Sequence, residues 1–342
     1  MRRLGKVLGI IGIVVLVLVV VGATFVGWDI RRSFPQTSGS LALAGLKANV
    51  DVLRDERGIA HIYADTPEDL FFAEGFTHAQ DRFWEMDFRR HITSGRLSEM
   101  FGKTQIETDT FLRTSGWRRV AEKELALLSP ETRRNLDAYS RGVNAYLADH
   151  SGATASFEYV VLGLQNSSYE IEPWTPVDSV SWLKAMAWDL RGNMADEIAR
   201  SVISDKIGRA RTATLYPEYP YLRHRPIVMQ GGVVDGVWDQ TATRLGAAAA
   251  STIPDLPAGA GGVLAAADDA LSSLDDILGP SGPGIGSNSW VISGEKTETG
   301  KPMLANDPHL APMMPSLWYQ IGLHCRTVSR SEERRVGKEC CR

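Results

Sequence analysis

The sequence predicts a fold that mixes α-helices and β-strands, and three observations support this class. Two runs rich in β-forming residues, 50–53 and 59–63, flank the polar segment 54–58, which is typical of a β-hairpin. Apolar residues then recur at three- and four-residue spacing from Leu70 to Met86, which predicts an amphipathic helix. A second pair of strands is predicted at 288–294 and 303–306. Periodicity alone specifies no more than this mixed class.

The N-terminal residues predict a membrane segment. Arg2, Arg3 and Lys6 precede an uncharged run at 7–28, which is long enough to span a hydrocarbon core of about 30 Å. A cleavable signal usually has an apolar core of only about 7 to 15 residues. Residues 1–28 are therefore interpreted as an uncleaved anchor in preference to a removed signal peptide. We expect an extracytoplasmic protein, membrane-anchored or secreted, with a polar stalk at 29–45.

Residues 46–244 are predicted to form a mainly helical region. Thr66 as N-cap, Pro67 in the first turn and Asp69 three residues after the cap mark the start of the long helix. Asp81 and Arg82 lie within that helix. We interpret them as part of a scaffold ion-pair network, because charges at helical spacing are usually structural.

A linker is predicted at 245–286, where the composition changes to Ala, Gly, Ser and Pro. It ends at Gly286 and Ser287. If the chain is cut before Ser287, that residue carries a hydroxyl and a free α-amine, whose pKa of about 8 lies far below the roughly 10.4 of a lysine. Such an amine can accept the serine proton near neutrality. Gly286 lacks a Cβ and is expected to permit backbone geometry that lets the hydroxyl reach its carbonyl.

Several motifs together resemble the penicillin acylase family of N-terminal-nucleophile hydrolases. They are GSNSW at 286–290, GKPMLANDPH at 300–309, AQDR at 79–82 and RGVNAY at 141–146. The resemblance implies an α+β fold, the family's four-layer αββα sandwich, incomplete here: a mainly helical α-chain and the first strands of the catalytic β-chain at 287–329. An ordinary loop serine in a Gly/Pro turn is the alternative explanation for Ser287.

The resemblance also implies an activity. Autoproteolysis between Gly286 and Ser287 would give a heterodimer of two chains from one precursor, and Ser287 would hydrolyse a linear amide in a small-molecule N-acyl substrate. Acyl-homoserine lactones and β-lactam side chains are examples of such substrates, and the chemistry needs no cofactor. A non-catalytic, membrane-anchored envelope protein that uses the same scaffold for binding is the alternative function.

Further roles follow from the resemblance. His309 is expected to orient the nucleophile or relay its proton, with a capping histidine after Asp307 and Pro308 as the alternative. Met186 and Trp188 are expected to wall the acyl pocket, although both also fit an ordinary core. Glu197 is expected to be a ligand of a structural calcium ion. A lone surface glutamate is an equal alternative, because calcium takes six to eight oxygen ligands.

The tail at 330–342 is interpreted as an artefact. It begins with RSEERRVGKEC, which corresponds to a translated short-read sequencing adapter, so the native sequence is expected to end near Ser329 and the catalytic chain to continue further. The tail carries five basic and three acidic residues, so the formal net charge of −4 becomes −6 without it. That acidity argues against a nucleic-acid partner. Cys325 is then the only native thiol, which excludes a disulfide framework.

Overall fold

The computed structural model describes residues 2–190, 194–217, 223–224, 230–234, 237–243, 260, 262–264, 266, 286–310 and 314–327. Almost all of the linker predicted at 245–286 lies outside these residues, and so does the whole of the tail at 330–342. The chain divides into two compact units, one made of 1–190 with 280–342 and the other of 191–279.

The described residues include ten α-helices and seven β-strands, an α+β composition as predicted. In chain order they are α1 (Arg2–Arg32), β1 (Asp51–Arg54), β2 (Ala60–Ala64), α2 (Pro67–Ser94), α3 (Leu97–Phe101), α4 (Ile106–Ser115), α5 (Trp117–Leu125), α6 (Pro130–Leu147), α7 (Glu158–Gln165), α8 (Pro176–Asp189), α9 (Met194–Ile207), α10 (Arg209–Leu215), β3 (Gln230–Val234), β4 (Val237–Thr243), β5 (Gly286–Ile292), β6 (Met303–His309) and β7 (Ile321–Cys325). In the second unit α9 packs against α10, and β3 pairs with β4 in an antiparallel ladder.

A three-stranded sheet joins the two ends of the first unit. β1 and β2 form the predicted antiparallel hairpin, with Arg54 opposite Ala60. β7 lies parallel to β2 on its other side, in a register that places Ala60 opposite Ile321 and Ala64 opposite Cys325. Side chains of β2 and β7 bury an apolar face against α2, since Ile62, Leu323 and Leu70 are all within a few per cent of full burial. The sheet therefore combines segments that precede and follow Ser287.

The long helix α2 begins as predicted, because the Thr66 hydroxyl accepts a hydrogen bond from the Asp69 backbone N–H at 3.2 Å. It ends at Gly95, whose φ of 62° lies in the left-handed region that favours glycine. The main core lies between α2 and α6, with the other short helices packed around it. Its fully or nearly buried members are Ala79, Phe83, Met100, Val143, Tyr146, Ala155, Tyr159, Leu162 and Trp174.

The hairpin of β5 and β6 confirms the predicted strand pair and is longer than expected. Both of its faces carry apolar side chains, and these are exposed: Val291 is 69% accessible and Leu304 57%. Trp290 on the opposite face is 48% accessible. Within the described part of the chain, neither face of this hairpin is sealed from solvent.

The N-terminal helix α1 has the length and composition needed to cross a membrane. Its apolar part, Ile11–Arg32, has a mean hydropathy of 2.7 and is not buried against the rest of the protein. A signal sequence has the same features. The helix therefore supports an N-terminal membrane or export segment without deciding between them.

Candidate active site

The structure places the predicted cleavage junction at the start of a strand. Gly286 and Ser287 are the first two residues of β5, and both are exposed to solvent. Gly286 lies opposite His309, and Ser287 lies opposite Pro308 in the neighbouring strand. Three of the predicted site residues are thus brought together in one hairpin.

Gly286 shows none of the unusual backbone geometry expected of it. It is not among the glycines with positive φ, and a Cβ added at this position would meet no other atom within 4 Å. The backbone before Ser287 is therefore ordinary extended strand. The structural feature that favours reaction at this junction is the exposure of Ser287. Gly286 is not strained.

His309 ends β6, and its imidazole Nε2 lies 2.8 Å from the Asp307 carboxylate oxygen Oδ2. Side chains alternate between the two faces of a strand, so His309 shares a face with Gly286 and Asp307, whereas the Ser287 side chain points to the other face. In the uncut strand His309 therefore lies opposite Gly286, on the face of the hairpin away from the Ser287 side chain. Asp307 can hold the ring in one orientation.

Met186 and Trp188 lie near the C-terminal end of α8, where both side chains are half-buried. The Trp188 ring packs against Phe111 and Trp117, with centroids 5.6 and 5.7 Å away. These contacts place Trp188 in an aromatic cluster between α4, α5 and α8. The assignment of both residues to an acyl pocket remains a prediction.

Glu197 is exposed on α9, in the unit formed by 191–279. Calcium requires six to eight oxygen ligands, and no group of three or more His, Cys, Asp or Glu side chains able to hold a metal exists among the residues that the structure describes. The role of Glu197 as one calcium ligand remains a prediction.

Asp81 binds the segment before β7 to the rest of the unit. Its carboxylate forms a bidentate pair with the Arg54 guanidinium, with both N–O distances at 2.8 Å, and accepts a hydrogen bond of 2.5 Å from the Tyr319 hydroxyl. Burial, with the charge of Asp81 next, raises the pKa of Tyr319 above its usual range, so the phenol stays a donor. Arg82, the neighbour of Asp81, donates to the Ser316 carbonyl at 3.1 Å.

This arrangement confirms that Asp81 and Arg82 belong to scaffold ion pairs. Asp81 pairs with Arg54 and so joins α2 to β1, and Arg82 lies 3.6 Å from Glu85 on the same helix. Arg54 and Tyr319 were missed because they lie 27 and 238 residues from Asp81. The AQDR motif points to Asp81, but the sequence does not show which residues Asp81 contacts.

A second buried polar cluster centres on Asp87, which is completely inaccessible. Its carboxylate accepts hydrogen bonds from Arg90 Nε at 2.7 Å and from the hydroxyls of Tyr159 and Tyr169 at 2.6 Å each. Burial alone would raise the pKa of Asp87, but the hydrogen bond from His91 and the charge of Arg90 outweigh it and lower the pKa to about 2. Asp87 is therefore ionised and fully paired inside the helical region.

Comparison with known proteins agrees with the motifs. The model of the family described as penicillin amidase matches residues 49–331. An acyl-homoserine lactone acylase of Pseudomonas aeruginosa, named QuiP, is 33% identical over 84% of this chain and 31% of its own length. The penicillin acylase 2 proenzyme of a Pseudomonas species, strain SE83, is 33% identical over 86% of this chain and 34% of its own length.

Among solved structures, a thermostable penicillin G acylase from Alcaligenes faecalis matches with a TM-score of 0.40 and 26% identity. The match covers 49% of this chain and 89% of that one. The chain spans about one third of the length of the two curated relatives.

Proposed function

Because the chain belongs to the penicillin amidase family, we propose that it is part of an amidohydrolase precursor that cuts itself before Ser287 and then hydrolyses linear amides. The observation that carries the proposal is the exposed Gly286–Ser287 pair at the first residues of β5, opposite His309, in a chain whose family match includes this hairpin. Maturation would give a heterodimer of two chains.

Maturation would use the Ser287 hydroxyl, which is exposed at the junction. The Ser287 hydroxyl attacks the Gly286 carbonyl carbon, the C–N bond breaks, and the acyl group moves from nitrogen to oxygen. Water then hydrolyses the ester, which leaves a carboxylate on Gly286 and a free amine on Ser287. His309, opposite Gly286 in the neighbouring strand, would protonate the departing nitrogen.

Catalysis would then use the same serine with its own amine as base. The hydroxyl attacks the amide carbonyl of the substrate, the amine product leaves with the transferred proton, and water hydrolyses the acyl-enzyme. Release of Ser287 from Gly286 also removes the strand restraint that keeps its side chain away from His309. The new terminus is then free to turn toward the imidazole.

The location of the protein is proposed from α1. Its apolar run, preceded by Arg2, Arg3 and Lys6, favours an anchor whose N-terminus stays in the cytoplasm. The two mature chains would then lie outside the cytoplasm, attached to the membrane through the first chain.

The first prediction concerns cleavage. Expressed within a precursor of the length of these relatives, the chain should yield a second chain that begins with Ser287, as read by N-terminal sequencing and intact mass. Ser287→Ala should leave the precursor uncut because no nucleophile remains. Ser289→Ala, on the same face of the same strand, is the matched control and should be cut normally. A folded, soluble wild-type precursor that stays as one chain would contradict autoproteolysis.

The second prediction concerns the substrate. The similarity to a protein named as an acyl-homoserine lactone acylase and the presence of His309 support a preference for aliphatic acyl amides over phenylacetyl amides. The matured enzyme should therefore hydrolyse a long-chain acyl-homoserine lactone with a higher kcat/KM than penicillin G. His309→Gln should lower kcat by roughly a hundredfold if the imidazole assists proton transfer. Faster turnover of penicillin G would contradict this preference.

A further inference from the structure

Helix α2 is bent at Arg82. The φ and ψ of this residue are −144° and 19°, whereas α-helical residues lie near −63° and −42°. Bends in long helices usually occur at proline, at glycine–serine pairs, at π-bulges or where a side chain or water enters the hydrogen-bond ladder. Residues 76–94 include neither proline nor glycine. The local sequence therefore does not explain the bend.

The residue types around the bend favour a continuous helix. Ala79, Gln80, Arg82, Glu85 and Met86 all belong to types with high helix propensity. When a helix is interrupted where its own residues favour continuity, the interruption is set by contacts with other parts of the fold. The contacts made by the side chains at the bend are therefore the ones that matter.

A short segment that precedes β7 contacts the bend. Residues 314–320, here called the strap, lie between β6 and β7 in the sequence. Arg82 Nη1 donates to the Ser316 carbonyl at 3.1 Å. The guanidinium carbon of Arg82 lies 5.7 Å from the centre of the Tyr319 ring, which is within the range of a cation–π contact. The Tyr319 hydroxyl donates to the carboxylate of Asp81, the residue before the bend.

The bend brings two consecutive side chains to the same segment. In a regular helix neighbouring residues point about 100° apart around the axis, so residues i and i+1 do not share a face. Asp81 and Arg82 nevertheless both bind the strap. The next residue, Phe83, is 1% accessible and belongs to the main core. The bend therefore lets α2 bind the strap through two adjacent residues while the third stays in the core.

We propose that α2 and the strap form one two-state element. With the strap docked, α2 is bent at Arg82, and with the strap released, α2 is a continuous helix. The strap contacts stabilise the bent state, and the helix propensity of residues 79–86 stabilises the straight state. Because the strap follows β6, which ends at His309, the shape of α2 depends on the segment that leaves the candidate hairpin. This coupling does not require cleavage before Ser287.

Hydrogen–deuterium exchange of the full 342-residue chain in lipid nanodiscs tests both parts of the element. The double variant Arg82→Met with Tyr319→Phe removes the donors to Ser316 and Asp81. Methionine keeps the helix propensity, and phenylalanine keeps the ring that lies 4.6 Å from His78.

The two regions should change in opposite directions. Strap amides should exchange at least about fivefold faster than in wild type, because their segment has lost two hydrogen bonds to α2. Amides of 83–86, whose helical acceptors are the carbonyls of 79–82, should exchange at least about twofold more slowly, because the straight helix closes the hydrogen bonds that span the bend. General loosening of the protein would speed exchange in both regions.

Faster exchange in both regions, a change in only one of them, or no change in either would overturn the coupling. Tyr63→Phe is the matched control, because it removes a phenol oxygen from β2, outside the strap, and should change neither region. The same changes in Tyr63→Phe would also overturn it. Far-UV circular dichroism checks the fold of each variant. If the double variant does not fold, Arg82→Met and Tyr319→Phe decide separately, each with the same opposite signs and a smaller amplitude.

Discussion

Asp87 shows how much of the helical region depends on one residue. Its carboxylate contacts side chains from α2, from α7 and from the loop before α8, since Arg90, Tyr159 and Tyr169 all donate to it. Removing the charge would leave Arg90 buried without its ion-pair partner. Loss of one partner of a buried pair costs much more than loss of an exposed one.

We therefore expect Asp87→Asn to lower the free energy of unfolding by about 3 to 5 kcal/mol, as measured by urea denaturation at pH 7. Glu85→Gln, on the same helix, is the control. Its side chain is 24% accessible and lies 3.6 Å from Arg82, so the change should cost less than about 1 kcal/mol. The folded pKa of Asp87 is depressed to about 2, so its stabilisation is complete above about pH 4. The difference between wild type and Asp87→Asn should shrink as the pH falls from about 4 to 2.

A small or pH-independent effect of Asp87→Asn would contradict this account. It would mean that the tyrosines and Arg90 find other partners once the carboxylate is gone.

Single residues were predictable from the sequence where their role is local. Thr66 acts as the N-cap because its partner Asp69 is three residues away, and Ser287 stands out because its neighbours form motifs. Asp87 and Tyr319 were not predictable, because their roles come from partners that are distant in the chain. A single sequence contains no signal for such contacts.

The packing of helix α2 against helix α6 depends on two glycines. A Cβ added to Gly75 would lie 2.1 Å from the Tyr139 carbonyl oxygen, and one added to Gly142 would lie 1.8 Å from the Phe72 carbonyl oxygen. Both clashes involve backbone atoms, which cannot move aside as a flexible side chain can. The two helices therefore approach closely at these positions only because neither residue has a side chain.

Gly142→Ala should separate α2 from α6 and lower the free energy of unfolding by roughly 1 to 3 kcal/mol or more, even though alanine favours helices. Gly163→Ala is the control, because a Cβ there meets nothing within 4 Å. It should instead stabilise α7 by about 0.5 to 1 kcal/mol. Thermal unfolding of both variants measures the difference. A stabilising Gly142→Ala would show that the helices can move apart at no cost.

Elements with local signals were predicted well, and elements with distant partners were not. The β1–β2 hairpin and the start of α2 follow from adjacent residues. The β5–β6 hairpin was also expected, although the sequence placed its first strand two residues too late, at Asn288 instead of Gly286. The parallel pairing of β7 with β2 had no signal, because it joins residues about 260 positions apart.

The exposed β5–β6 hairpin predicts that the whole molecule associates with copies of itself. Val291 and Leu304 are cross-strand neighbours on one face, and both are more than half accessible. Exposed apolar strands are typical sites of aggregation. The chain of residues 29–342 should therefore form soluble aggregates or precipitate, as measured by light scattering and size-exclusion chromatography.

The double substitution Val291→Thr with Leu304→Thr should reduce this association severalfold, because threonine keeps the strand propensity and removes apolar surface. Leu127→Thr, at an exposed leucine outside the hairpin, should have little effect. If the double variant and Leu127→Thr associate to the same extent, the surface that drives association lies outside the hairpin.

The sheet that joins β2 to β7 has a kinetic consequence. In the uncut chain these two strands belong to one molecule, so their pairing during refolding is a first-order event. Cleavage before Ser287 would assign them to two molecules, because β2 precedes the cut and β7 follows it. Refolding of the denatured, cleaved protein would then be second order. Its rate would rise with protein concentration, and dilution would lower its yield.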